Sequence, residues 1–173
     1  MKKFHCAVIG GGPAGYKAAQ KLAQAGKTVC IIDKSMENLG GTCLNKGCIP
    51  VKSLLESAQL YSAVKNSKKF GLDCSVDRVN WSNTIRKMNQ NTAGLRKGLI
   101  FTLSNKGIEF IFGSASFINS GTVEVLSDKG DAAQIRADCF IIAAGSEPRT
   151  IKGCLLYTSP SPRDLSTARM PSS

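Results

Sequence analysis

Phe4-His-Cys-Ala-Val-Ile-Gly-Gly-Gly-Pro-Ala-Gly-Tyr16 decides the fold. Phe4 to Ile9 is mostly apolar with little alternation, as expected of a strand buried on both faces. The turn Gly10-x-Gly12-x-x-Gly15 follows at once. Gly15 to Gln24 then reads as a helix, with Ala18, Ala19, Leu22 and Ala23 on one face and Lys17 and Lys21 outside. Gly26 stops it. Lys27 to Asp33 reads as a second strand, so the chain opens a βαβ arrangement. Each glycine has a physical task there. Gly10 permits the tight turn, Gly12 lets a pyrophosphate approach the backbone, and Gly15 lets helix and strand pack closely. The helix N-terminus adds free N–H groups and partial positive charge for phosphates. Asp33, eighteen residues after Gly15, ends the second strand where an acid can bind ribose hydroxyls, and Lys34 follows it. The glycine pattern alone carries little. The strand, helix and acid around it make dinucleotide binding the reading.

The next informative run is Leu39-Gly-Gly-Thr-Cys-Leu-Asn-Lys-Gly-Cys-Ile-Pro-Val-Lys52. Cys43 and Cys48 lie five apart in a Gly-rich turn leading into a helix. On an ideal helix such residues are about 140° out of phase. A disulfide between them needs a distorted first turn, which Gly47 and Pro50 permit. A helix N-terminus and nearby Lys46 or Lys52 favour thiolate. On spacing alone the pair is a redox couple, two buried structural thiols, or zinc ligands. With one histidine, His5, and no Cys-x-x-Cys pair, zinc has the least support.

The rest of the chain reads as follows. A helix runs from about Cys43 to Ser67-Lys68-Lys69, with Leu54, Leu55, Ala58, Tyr61 and Val64 as its apolar face. A long helix spans Trp81 to Leu103, burying Ile85, Met88, Leu95, Leu99 and Leu103. Strands Ile108–Phe112, Ser114–Asn119, Thr122–Leu126 and Gln134–Ala137, separated by Gly113, Ser120-Gly121 and Lys129-Gly130, look like a β-meander. Cys139 to Ala144 is a last buried strand. Cys6, Cys30 and Cys139 sit in apolar runs as core thiols.

Residues 1 to about 150 resemble the N-terminal part of the flavoprotein disulfide reductases, and among them the branch that handles lipoamide. The resemblance rests on Val8-Ile-Gly-Gly-Gly-Pro-Ala-Gly-Tyr16, on Gly40-Gly-Thr-Cys-Leu-Asn-Lys-Gly-Cys-Ile-Pro-Val-Lys52, and on Ile141-Ile-Ala-Ala-Gly-Ser-Glu-Pro148. Leu44 and Ile49 suit the dihydrolipoyl dehydrogenases better than the glutathione or mercuric reductases, which favour valine there. The resemblance implies an α/β fold: a Rossmann-like FAD-binding domain, parallel sheet with helices plus a meander, incomplete in this chain. It implies FAD as the dinucleotide and NAD+ as the parent's co-substrate. Cys43 would be the interchange thiol and Cys48 the thiolate lying against the flavin. Gly41, Thr42 and Lys52 would line the flavin ring. Ala115 matches a small residue whose backbone meets the adenosine, and Ala144-Gly145-Ser146 the closing cofactor turn. Val51 stands where serine is usual beside that lysine, which bears on fine tuning rather than class.

The resemblance further implies machinery that these residues lack: a second Gly-x-Gly-x-x-Gly domain for NAD+, a returning segment that completes the flavin site, and a dimerisation domain whose His–Glu pair serves the partner's disulfide. His5, at the start of the first strand, is not that base. No NAD-linked turnover is expected of the 173 residues alone. The implied partners are lipoamide or another disulfide, a second copy in the parent dimer, and a 2-oxo acid dehydrogenase complex. Another disulfide reductase, or a non-catalytic FAD-binding fragment, is the alternative.

Bulk properties bound the rest. A chain that is 42% hydrophobic and 20% charged describes a globular protein. Gly10-Gly11-Gly12-Pro13 ends the first apolar stretch too early for a signal peptide, so a cytoplasmic protein with no membrane association is expected. The net charge of +11 invites a nucleic-acid reading, but the lysines are scattered and aromatics are only 6%. No stacking platform interleaves with the charge, so none is expected to bind nucleic acid. From Cys154 the composition shifts, with Pro160, Pro162 and Pro171 in the last twenty residues. Cys154-Leu-Leu-Tyr-Thr-Ser-Pro-Ser-Pro-Arg-Asp164 resembles translated sequencing adapter. Residues 1–153 are therefore expected to be domain sequence, and 154–173 a disordered non-native tail.

Overall fold

The structure, a computed structural model, describes residues 2–147. The expected tail, 154–173, lies outside the described residues. Strand β1 (Lys2–Ile9) leads into helix α1 (Pro13–Gln24) and strand β2 (Val29–Asp33). A 3-10 turn at Met36–Asn38 precedes α2 (Gly41–Lys46) and α3 (Cys48–Lys65), and another at Ser67–Phe70 follows α3. Helix α4 (Trp81–Ser104) leads to β3 (Glu109–Phe112), β4 (Ser114–Asn119), β5 (Thr122–Leu126) and β6 (Ala132–Ile142).

One sheet carries the order β3-β2-β1-β6-β5-β4. β3, β2, β1 and β6 run parallel; β6, β5 and β4 run antiparallel. The four-strand meander expected from sequence is corrected here. β3 leaves it and pairs with β2 at the far edge, because Gly113 turns the chain sharply before β4. Only β4, β5 and β6 form the meander. The two last strands also merge into β6, which pairs with β5 over 132–136 and with β1 over 135–142.

Alternation along β2 shows how the core divides. Cys30 and Ile32 face Phe4, Val123, Val125, Ile135 and Ala137, so the meander curls over this face. Val29 and Ile31 point the other way, onto Ala19 of α1, Leu39, Leu103 of α4 and Ile108. Burial on both faces explains why β1 and β2 read as continuous apolar runs. Each fully buried Ile or Val contributes about 1.5–3 kcal/mol.

Two helix expectations need correction. The helix from Cys43 breaks at Gly47 (φ −131°, ψ −110°) into α2 and α3. No residue of α3 is buried, and Leu55, Ala58 and Tyr61 are exposed. Its apolar residues are spread around the helix, and α4 covers only one side. In α4 the inner stripe runs Ile85, Met88, Thr92, Arg96, Leu99, Leu103; Leu95 lies off it, 52% exposed. Helical spacing of three and four selects Arg96 over its apolar neighbour.

Candidate functional site

The chain steps from β1 outward to β2 and β3, then returns to the other side of β1 with β6. That reversal places a crevice at the carboxyl end of β1, where open α/β sheets bind ligands. Gly10 sits there, with φ +106° and its N–H donating to Ile32 O at 2.7 Å. A Cβ on Gly10 would lie 2.6 Å from the Ala143 carbonyl carbon and 3.0 Å from Ala144 Cα. The Ala143 N–H donates to Ile9 O at 2.7 Å, so β6 closes tightly on the turn. α1 begins next, with Gly12 as N-cap and Pro13 in the first turn. It has no side-chain cap and no acidic residue in that turn. Its leading N–H groups and the positive end of its dipole therefore remain free for an anion.

Asp33 lies at the end of β2, as expected. Its Oδ2 accepts from the Gly11 N–H at 2.6 Å and its Oδ1 from the Lys34 N–H at 2.7 Å. Both oxygens keep lone pairs for hydroxyl donors. The Lys34 ammonium, exposed, pairs with Glu147 at 3.8 Å. The Gly113 N–H donates to Asp33 O at 2.8 Å, which brings the start of β4 beside this corner. Ala115 itself turns its side chain into the core beneath the meander. Ala144, Gly145 and Ser146 are exposed just beyond β6.

The second motif docks onto the first. Gly40 N–H donates to Gly11 O at 2.9 Å. A Cβ on Gly41, whose φ is +64°, would lie 2.8 Å from Gly12 Cα and 3.2 Å from Pro13 Cδ. Only glycine permits that backbone approach. α2 then presents exposed Thr42 and half-buried Cys43, and buries Leu44. After the Gly47 break, α3 opens at exposed Cys48.

Across the break the two thiols lie near enough to perturb one another, and both are free. The Cys43 thiol is pushed up from its ordinary value. The bond to the Cys48 thiol is the main cause, followed by partial burial; the Cys48 N–H and the Lys52 ammonium pull the other way. The expected depression by the helix end and lysines is thus outweighed while the partner is a thiol. Lys52, one turn into α3 and exposed, is the lysine that acts on Cys43; Lys46 has no such influence.

Elsewhere, burial pushes the Cys6 and Cys30 thiols up to about 12. Cys139 corrects its expectation as a core residue. It is exposed on β6, beside Cys6, and its thiol donates to His5 O at 3.3 Å. The His5 ring bonds to Thr28 Oγ1 at 2.7 Å, in the middle of β1 and away from the crevice at its carboxyl end. Among the described residues no group of three His, Cys, Asp or Glu is arranged to hold a metal. No described helix is long and apolar enough to cross a membrane.

Sequence reading missed three contributors. Gly11 supplies both the donor to Asp33 and the acceptor for Gly40. A Cβ there would lie 2.9 Å from Asp33 Oδ2. Asn45 donates from Nδ2 to the carbonyls of Asn38, Leu39 and Gly41 at 3.2, 3.1 and 3.0 Å. Arg96 reaches Asn45 from α4. The available signal for Arg96 was a charged residue on the inner stripe of an amphipathic helix.

Known proteins resemble this chain in sequence and fold. The family described as pyridine nucleotide-disulphide oxidoreductase matches residues 4–167. A dihydrolipoyl dehydrogenase of Bacillus subtilis (strain 168) is 41% identical over 144 residues, covering 82% of this chain and 31% of the relative. The mitochondrial dihydrolipoyl dehydrogenase of Schizosaccharomyces pombe is 40% identical over 154 residues, covering 87% of this chain and 30% of the relative. The copper(II) complex of RclA, an HOCl-induced flavoprotein disulfide reductase from Escherichia coli, superimposes with a TM-score of 0.74 at 29% identity. That structure covers 92% of this chain, which in turn covers 32% of it. The chain thus spans about a third of the length of the relatives it matches.

Proposed function

Because the chain belongs to the pyridine nucleotide-disulphide oxidoreductase family, we propose that its glycine turn holds FAD and that Cys43 and Cys48 pass electrons between this flavin and a disulfide substrate. The single observation that carries the reading is the contact of Gly41 with Gly12, which seats the dithiol segment directly on the dinucleotide turn. The residues present fit FAD. The uncapped start of α1 suits the pyrophosphate, with Gly12 open on its outer side. Asp33 suits ribose hydroxyls beside β4, with Lys34 and Ala115 at the adenosine end. Thr42, Lys52 and the turn Ala144-Gly145-Ser146 complete the cofactor set.

In the proposed reaction the oxidised Cys43–Cys48 pair meets a substrate dithiol. A substrate thiolate attacks Cys43 Sγ, forming a mixed disulfide and releasing Cys48 as thiolate. The second substrate thiol, deprotonated, displaces Cys43, so the substrate leaves as a disulfide and both cysteines are reduced. FAD held at the glycine turn would supply a two-electron acceptor as the cysteine disulfide re-forms, with NAD+ as the proposed final acceptor in the parent protein. Lys52 lies close enough to favour the thiolate form of Cys43 once its partner thiol is consumed.

Dihydrolipoamide is the proposed substrate, supported by Leu44 and Ile49 and by the names of the relatives. The solved relative, a flavoprotein disulfide reductase of a different description, supports a second reading in which another disulfide occupies the site. The parent is proposed to act as a cytoplasmic homodimer serving a 2-oxo acid dehydrogenase complex, with residues 1–153 as its domain sequence and 154–173 as adapter-derived. Reading the source DNA across codon 153 tests that boundary; a continuous native transcript encoding the tail overturns it. The cofactor reading is tested by titrating the chain with FAD and NAD+. Quenching of flavin fluorescence at lower concentration than any NAD+ response is expected. Equal or tighter NAD+ binding would sink it.

A further inference from the structure

We propose that Arg96 is a positioning residue for the dithiol turn, acting through Asn45. Arg96 sits on the inner stripe of α4, half-buried, fifty-one residues from its partner. Its Nη1 donates to Asn45 Oδ1 at 2.7 Å and to the Glu37 carbonyl at 2.8 Å. The Asn45 amide can face only one way. The guanidinium demands the carbonyl oxygen on its side, and the backbone oxygens of Asn38, Leu39 and Gly41 demand the NH2 group on the other. The two side chains form one strut from α4 to the turn that carries Gly40 and Gly41.

The strut matters because α2 has six residues, far short of the length at which a helix holds its own shape. Its position must come from outside. The Gly41 carbonyl is held by Asn45, the Gly41 Cα abuts Gly12, and Cys43 lies two residues before Asn45 on the same short helix. Without Arg96 the Asn45 amide is held on its NH2 side alone, the donor to the three carbonyls is less firmly fixed, and so is Cys43 relative to Cys48. The strut therefore sets the effective concentration of one thiol toward the other. Both bonds come from the single atom Nη1, so a lysine ammonium, with three N–H donors but a shorter reach, restores the strut in part.

This inference rests on the dithiol reading but not on the cofactor. The test is the equilibrium constant of the Cys43–Cys48 disulfide against glutathione, measured on the full chain. Wild type, Arg96→Ala, Arg96→Lys and Asn45→Asp are compared. Arg96→Ala is expected to lower the constant about tenfold, equivalent to about 30 mV for two electrons. The pH midpoint of Cys43 alkylation should fall in the same variant, because the thiol contact that raises it is lost. Arg96→Lys should recover part of both effects. Asn45→Asp, which keeps an acceptor for Arg96 but loses the donor to the three carbonyls, should match Arg96→Ala. If Arg96→Ala exposes Cys6 and Cys30 to alkylation, it has unfolded, and Asn45→Asp decides. A folded Arg96→Ala, or in that case a folded Asn45→Asp, with unchanged constant and unchanged midpoint overturns the proposal. Failure of the wild-type chain to bind FAD would sink the cofactor reading and leave this one standing.

Discussion

Gly15→Ala places a methyl group where the packing leaves no room. An ideal Cβ there overlaps the Gly10 carbonyl oxygen, stands 3.0 Å from the Gly10 carbonyl carbon and 3.2 Å from Val8 Cγ1. The first two atoms are backbone, so they cannot rotate away, and α1 must lift off β1 instead. Overpacking costs about 1–3 kcal/mol and sometimes more, and a backbone obstacle puts this site at the upper end. Alanine recovers about 1 kcal/mol through helix propensity. The net loss is then about 2 kcal/mol, or roughly 4–8 °C in Tm for a chain of this size. Gly98→Ala in α4 is the paired control, since no atom lies within 4 Å of its added Cβ. The same chemical change there should gain about 1 kcal/mol and raise Tm by roughly 2–4 °C. Thermal scans by calorimetry or circular dichroism read both. A Gly15→Ala protein as stable as wild type would refute the close packing of α1 on the glycine turn.

Asp33→Ala leaves the Gly11 N–H without its 2.6 Å acceptor and should cost about 1–3 kcal/mol, whereas Asp33→Asn keeps an acceptor and costs less. Equal denaturant midpoints for the two variants would contradict this. Cys48→Ala removes the main cause that raises the Cys43 thiol, so the pH midpoint of Cys43 alkylation should move down; a rise would show that the thiol contact is not the cause. In native protein at pH 8, mass spectrometry should find alkylation at Cys43, Cys48, Cys74 and Cys139, with Cys6 and Cys30 protected. Cys30, raised from 9.0 to about 12, holds its proton in the folded state after the unfolded chain has lost it. Stability should therefore fall as pH rises between those values, and Cys30→Ala should flatten the slope; an unchanged slope would contradict the assignment.

Much of this was legible because the relevant physics is local. Apolar runs on both sides of Gly10-x-Gly12-x-x-Gly15 fixed β1, α1 and β2, and the glycines marked where backbone approaches backbone. Gly47 marked the break that lets two thiols five residues apart meet. What escaped reading was long-range. The partner of β3 depends on which edge of the sheet the chain reaches after α4, and no local pattern records that. Short strands separated by turns look alike whether they form a meander or cross the sheet. α3 has an apolar composition but no single apolar stripe, so composition overstated its burial. Asn45 and Arg96 meet across fifty-one residues, and neither stands out until the stripe of α4 is traced through Thr92.

In the proposed reaction the Cys43–Cys48 pair works against a flavin held at the glycine turn. The most direct measurement is the long-wavelength absorbance of FAD-loaded protein after reduction by a dithiol. A charge-transfer band is expected in wild type, with persistence in Cys43→Ser and loss in Cys48→Ser. A band that survives Cys48→Ser and vanishes in Cys43→Ser would contradict the assigned roles, and FAD-loaded protein with no band at all would contradict the reaction itself.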